Sequence, residues 1–314
     1  MNAGTSFSCD GDLPARLDVT NLESVEAWLL AGAEACEHAA CRKFSTEVIR
    51  APGILIATGD LHDNPMHFAK LMTAAHLDDP ANEEPRFSGE ETPVHHLVLH
   101  ELIHGERLMQ GMDMSYRTLV RVAQLKALHP ERVHVLLGNH ELSQIKGAGI
   151  LKDGVRVVEV FNEGVEYVFG SDAPRVHAAI ERFVLAMPLA LRCETPRGDI
   201  LIAHSLPPAA MMGRFDPTVL SRDLTEADYS PRTGSAHIMV WGRGYDAGLI
   251  EDLVERWGVA MFILGHDKVE EGARFVPPNV LVLNSDHAGG VYVPIDLSDP
   301  PRAAEAVGMA VPLA

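Results

Sequence analysis

Five short apolar runs in this sequence stop abruptly at residues that bind cations or move protons. Ile54–Thr58 runs into Gly59-Asp60-Leu61-His62, and Val94–Leu99 into His100-Glu101. Val133–Leu137 runs into Gly138-Asn139-His140-Glu141, Ile200–Ala203 into His204, and Val259–Leu264 into Gly265-His266. Such runs are short and lack helical spacing, so they read as strands buried on both faces. An amide, an imidazole and a carboxylate in a row cannot enter an apolar core unpaired. Open α/β sheets place ligands beyond the carboxyl ends of their strands, and these polar residues all sit there. Asp60 and His62 lie two apart, so on an extended segment they point the same way.

Between the runs lie helical patterns. Ser115 opens a helix carrying Leu119, Val122, Leu125 and Leu128, and Pro130 ends it before the Val133 run. Strand, helix, strand in that order is the βαβ signature of a layered α/β protein. Thr20 and Glu23 have capping-box spacing, and Val25, Trp28, Leu29, Ala33 and Cys36 recur at helical intervals behind them. Asp172 and Pro174 start a helix that runs to about Ala186, and Leu249–Trp257 is amphipathic. Val155–Val160, Asn279–Leu283 and Val291–Ile295 read as further strands. Gly147 and Gly149 read as a loop. Residues 78–93 are acidic and rich in turn formers, which predicts a surface loop. His95 and His96 are expected at the rim or surface.

The chain has 314 residues and a formal net charge of −18, so it lacks the basic footprint that binding to a nucleic-acid backbone requires. A phosphate substrate is still compatible, because bound divalent metals invert the charge of a local site. Four cysteines, Cys9, Cys36, Cys41 and Cys193, form no C-x-x-C pair and read as buried, inert thiols of a reducing compartment. No apolar run approaches the ~20 residues of a membrane span. The first residues show no basic segment followed by an apolar stretch. These features predict a cytoplasmic protein with no membrane partner. Residues 1–50 read as a lead-in and packing helix, 51–300 as the chemical domain, and 301–314 as a tail.

The ordered set of motifs resembles the calcineurin-like metallophosphoesterases, in the branch of phosphoprotein phosphatases and diadenosine tetraphosphatases. It comprises G-D-L-H-D at 59–63, G-N-H-E at 138–141, A-H-S at 203–205 and G-H-D at 265–267. Ser115, Leu119, Leu125 and Lys126 ahead of L-L-G-N-H-E add to the likeness, as do Leu185–Leu189 and Leu283–His287. It spans about residues 53–296. The resemblance implies a four-layer α-β-β-α sandwich of two mixed sheets flanked by helices. It also implies a phosphoesterase that hydrolyses a phosphate ester or phosphoanhydride by direct attack of metal-bound hydroxide. Asp60 and His62 would hold one metal, and Asn139, His204 and His266 the other, with Glu101 bridging. Asn139 would also touch substrate, and His140 would be the catalytic acid. Two divalent ions ~3.5–4 Å apart clamp a phosphoryl group and lower the pKa of a shared water. Oxygen and imidazole ligands without thiolate suit Mn, Fe or Zn. The substrate would be a phosphoprotein, a dinucleoside polyphosphate or a small phosphoester.

The second motif departs from the family. Glu101 stands for the bridging aspartate, His104 for the aspartate that orients the catalytic histidine, and Gly105 for a phosphate-binding arginine. Asp63 and Ser205 stand where the family has glycine. Arg243, in W-G-R-G, is a candidate replacement clamp, since a guanidinium suits phosphate geometry; a plain surface arginine is the alternative. Two alternatives stay open. His100-Glu101-Leu102-Ile103-His104 also spells the H-E-x-x-H of zinc metalloproteases, which requires a helix there. The changes at 101, 104 and 105 also permit a metal-binding protein whose phosphoesterase site has decayed.

Overall fold

The computed structural model describes residues 13–14, 16–77, 93–147, 149–152 and 154–314. The acidic stretch expected to form a surface loop lies almost wholly outside them. Two mixed sheets stack face to face. One has five strands in the order Val311–Pro312, Val291–Asp296, Ile54–Thr58, His95–His100, Val133–Leu136. The other has seven, in the order Arg42–Lys43, Thr46–Arg50, Ala190–Glu194, Ile200–Ala203, Met261–Leu264, Val280–Leu283, Ala273–Val276. Residues before 51 thus supply two strands of the larger sheet, and the tail supplies the edge strand of the smaller one.

Alternation along each strand builds two cores at once. Leu55, Ala57, Val98 and Leu136 face Leu191, Ile202, Ile263 and Leu281 between the sheets. Ile56, Leu97, Leu99, Val133 and Val135 face outward onto Leu29, Leu119, Val122 and Phe183 of the helices Leu22–His38, Tyr116–Leu128 and Ala173–Ala186. On the far side, Phe262 meets Trp257 of the helix Ala247–Trp257 edge to face. The architecture is therefore the four-layer α-β-β-α sandwich. Truncating one of these Leu or Ile side chains to Ala would cost about 2–5 kcal/mol.

Local details differ from the sequence expectations in three places, and one alternative reading falls. Asn21, not Thr20, caps the first helix, its side chain accepting from Ser24 N at 2.9 Å. Val155–Val160 is not a strand: only Val155–Arg156 extends, and Val157–Phe169 is a helix burying Val157, Val158, Phe161 and Val165. His96 is buried rather than at the rim, its Nδ1 3.1 Å from His134 Nε2. Residues 100–104 form no helix, because Glu101 and His104 take φ of 52° and 61°. The geometry a zinc-protease H-E-x-x-H needs is therefore absent. Among the described residues Cys36, Cys41 and Cys193 are buried and unpaired. No helix there is long and apolar enough to cross a membrane.

Candidate metal centre

Strand register brings the site together. Ile54–Thr58, His95–His100 and Val133–Leu136 are parallel neighbours, so their carboxyl ends share one edge of the sandwich. Ile200–Ala203, Met261–Leu264 and Val280–Leu283 do the same in the other sheet. An isolated bridge between Asp60 and Asn284 ties the two edges together. Gly59 is required there, since an added Cβ would sit 2.0 Å from Leu283 O. Asp60, His62, Glu101, Asn139, His140, His204 and His266 all converge at this edge, each under a tenth exposed. Asn139 and His140 do not lie in a loop: Gly138 is the N-cap of a helix, Asn139–Lys146, and they form its first turn.

Hydrogen bonds fix which atoms are free. His62 Nδ1 donates to Ile103 O at 2.9 Å, which turns its bare Nε2 toward Glu101 Oε1 at 3.7 Å. His100 Nε2 donates to Thr58 O at 3.0 Å, so its Nδ1 can only accept. His204 Nδ1, 3.0 Å away, therefore carries the proton. His204 Nε2 is then bare, and it faces Asn139 Oδ1 at 2.8 Å, His266 Nδ1 at 3.1 Å and Glu101 Oε2 at 3.4 Å. His266 Nε2 is buried with no hydrogen-bond partner among the described residues. Lone pairs crowding one point are what a cation satisfies. Two three-residue sets with free lone pairs have their ligand atoms within 4.8 Å of one another: His62, Glu101 and His140, and Glu101, His204 and His266. Glu101 belongs to both.

Electrostatics point the same way. Burial pushes the Asp60 and Glu141 carboxyls up to about 7 and Glu101 well above its usual range. Burial also holds His62 and His266 down to about 3, His100 to about 4, and His204 well below its usual value. A bound divalent ion reverses the first penalty and suits the second, because it binds carboxylate and neutral imidazole. The donor set thus fits the metal ions implied by the fold. Backbone strain gathers here too. His62, Asp63, Glu101, His104 and His266 all have φ between 43° and 66° without being glycine, and strain of order 1–3 kcal/mol per residue clusters at functional sites.

His104 Nδ1 meets His140 Nδ1 at 2.9 Å. Arg243 Nη1 holds Asp267 Oδ1 at 2.8 Å, and its Nη2 stands 3.5 Å from His266 Nδ1, at the rim of the site. Arg107 donates to Asp63 O at 3.2 Å and braces the loop. Gly105 packs against that loop: an added Cβ would lie 2.7 Å from His62 O and 3.0 Å from the Asp63 side chain. Ser205 points away, donating to Gly242 O at 2.5 Å.

Sequence reasoning missed two residues. His100 was readable only as part of the H-E-L-I-H pentapeptide, yet it fixes the His204 tautomer. Glu141, fully buried, accepts from Leu102 N at 2.6 Å and Ile103 N at 3.3 Å and so shapes the loop carrying Glu101. Its place in G-N-H-E was the available signal.

No family model matches the chain, and no curated protein matches it. Solved structures do. A protein serine/threonine phosphatase from Saccharomyces cerevisiae with similarity to human phosphatase PP5 superimposes with a TM-score of 0.62 at 15% identity, over 88% of this chain and 83% of that one. A cold-active protein-tyrosine phosphatase of a psychrophilic Shewanella species gives 0.54 at 14% identity, over 91% and 82%. The chain shares the fold of these phosphatases, two mixed sheets flanked by helices, as its motifs predict.

Proposed function

We propose that this protein is a metal-dependent phosphoesterase. The observation that carries the reading is the placement of Glu101. One carboxylate oxygen faces His62 and His140, and the other faces His204. A carboxylate shared between two histidine sets suits a bridge between two cations. Asp60 and His62 would hold one, and Asn139, His204 and His266 the other. Two bound divalent ions would supply an activated water and a clamp on the phosphoryl oxygens.

The chain's own groups do the rest. His140 Nδ1–H donates to His104, which leaves Nε2 as the atom that gives a proton to the departing oxygen. Burial holds His140 far below its usual pKa, and a dianionic phosphate beside it favours the protonated form. Arg243 offers a guanidinium to the outer phosphate oxygens. His100 and Glu141 position His204 and the Glu101 loop. Phosphoprotein, dinucleoside polyphosphate and small phosphoester remain the substrate classes.

The test is metal analysis together with a panel of p-nitrophenyl phosphate, a bis-ester, a phosphopeptide and a dinucleoside polyphosphate. We expect divalent metal bound and turnover of at least one substrate, both lost in Asp60→Ala. Full metal occupancy with no turnover across the panel would favour a decayed site. Absence of metal binding would overturn both.

A further inference from the structure

Two loops cross beside the metal centre. Ser205, which directly follows His204, is fully buried, and its hydroxyl donates to Gly242 O at 2.5 Å. The Tyr245 hydroxyl lies 2.7 Å from Ser205 Oγ and 2.8 Å from Gly242 O, and it accepts from Leu206 N at 3.2 Å. Each hydroxyl has one proton to give and lone pairs to accept another, so these groups satisfy one another in a closed set. The backbones touch as well: a Cβ on Gly242 would lie 1.6 Å from Leu206 O. Residues 205–206 and 242 are thus stapled together, and Tyr245 is the side chain that spans them.

What the staple holds are the residues on either side of Gly242. Trp241 meets the His266 ring edge to face at 6.3 Å. Arg243 Nη1 reaches Asp267 Oδ1 at 2.8 Å and its Nη2 stands 3.5 Å from His266 Nδ1, while its side chain is 56% exposed. Arg274 Nη2 holds the other Asp267 oxygen at 2.8 Å, which fixes that carboxylate. Gly244, at φ 73°, turns the chain after Arg243. Asp246 then caps the helix Ala247–Trp257, accepting from Leu249 N at 2.8 Å. Tyr245 is therefore anchored at a helix end. An exposed arginine between two glycines would lose backbone and rotamer freedom on gripping an anion. Here much of that freedom is removed beforehand, at the backbone by Tyr245 and at the guanidinium by Asp267.

We propose that Tyr245 is a positioning residue: with Ser205 it fixes the turn at Gly242 and Arg243, so that the guanidinium stands beside His266 ready for a phosphate oxygen. The inference rests on the phosphoesterase reading with Arg243 as its clamp. It also gives Ser205 a role, because a glycine after His204 would take one hydroxyl out of the closed set.

The experiment measures binding of inorganic phosphate to Mn²⁺-loaded protein by calorimetry, in wild type, Tyr245→Phe, Arg243→Ala and the double variant, with the substrate panel assayed alongside. Arg243→Ala should weaken phosphate about 10–100-fold, through loss of a charged hydrogen bond. Tyr245→Phe keeps the ring and removes only the hydroxyl. It should weaken phosphate about 3–10-fold at unchanged Mn²⁺ affinity. In the Arg243→Ala background the same change should have no effect beyond about twofold, because nothing is left to position. Should Tyr245→Phe fold poorly, Ser205→Ala removes the other hydroxyl and carries the same comparison. Unchanged phosphate affinity in Tyr245→Phe overturns the inference, as does a loss that recurs in full without Arg243. A fall in Mn²⁺ affinity also overturns it, because the hydroxyl pair would then act through His204. The expected pattern with no hydrolysis across the panel supports the positioning role and overturns the catalytic reading. A wild-type protein that binds no phosphate overturns the clamp and the positioning role together, whatever the panel shows.

Discussion

His104 Nδ1 stands 2.9 Å from His140 Nδ1, and Gln144 Oε1 stands 2.9 Å from the other nitrogen of His104. The Gln144 amide nitrogen is itself committed to Asn162 Oδ1 at 2.7 Å, so its oxygen must accept. His104 therefore donates through Nε2 and accepts at Nδ1, and His140 is held with its proton on Nδ1. His140→Ala should bind metal normally and lose 10²–10⁴-fold in kcat. His104→Ala should keep metal and lose ~10–100-fold, since it only orients the acid. Metal content and steady-state kinetics check both. Full activity in His140→Ala would refute its role.

Gly265 faces the buried end of the site. A Cβ added there would lie 2.2 Å from His100 Cε1 and 2.5 Å from Asp60 Oδ1. Gly265→Ala should therefore displace the His100–His204 pair. The expected result is weakened metal binding, with a stability loss of about 1–3 kcal/mol from overpacking. Metal titration and urea unfolding measure the two effects. Unchanged metal affinity would show that His100 does not position His204.

Asp60, Glu101 and Glu141 are all buried, and the charges of Asp60 and Glu141 both act on Glu101. Without a cation, their charged forms repel and are poorly solvated. Chelation should lower the melting temperature, and divalent metal should restore it. Free metal at ~100-fold above Kd contributes about 2.7 kcal/mol. Asp60→Asn should melt at the same temperature with and without metal. A metal-independent wild-type transition would sink the metal-centre assignment.

Much of this was readable because strand ends announce themselves. An apolar run buried on both faces has one outlet, and polar residues there must face a site or solvent. Asp60, Glu101, Asn139, His204 and His266 all stand at such outlets, and the structure gathers them at one edge. Residues whose role depends on a partner far away in sequence were not. His96 looks like any strand-flanking histidine until His134, 3.1 Å away, accounts for its burial. The stretch V-R-V-V-E-V is rich in β-branched residues and so reads as a strand, and only the apolar positions at Phe161 and Val165 show its helical period. The H-E-L-I-H pentapeptide misleads in the opposite direction, because its left-handed residues are set by the site and not by local propensity.

At the opposite edge, Lys126 and Glu47 are fully buried, with Lys126 Nζ 2.8 Å from Glu47 Oε1 and within 2.9 Å of Pro130 O and Val133 O. Burial alone would raise the Glu47 pKa, but Lys126 and then His134 outweigh it and hold the carboxyl at about 2, against an ordinary 4.5. A depressed folded pKa means the contribution is complete above pH 4.5 and is lost as pH falls toward 2. At 1.36 kcal/mol per unit this amounts to about 3 kcal/mol. Glu47→Gln leaves the Lys126 ammonium unpaired and should be destabilised by a similar amount at pH 6. The gap between Glu47→Gln and wild type should close as pH falls from 4.5 toward 2, measured by urea unfolding. Should Glu47→Gln not fold, adding Lys126→Met should restore folding, because it removes the unpaired charge. A gap that stays constant over that window would mean the pair contributes packing rather than charge.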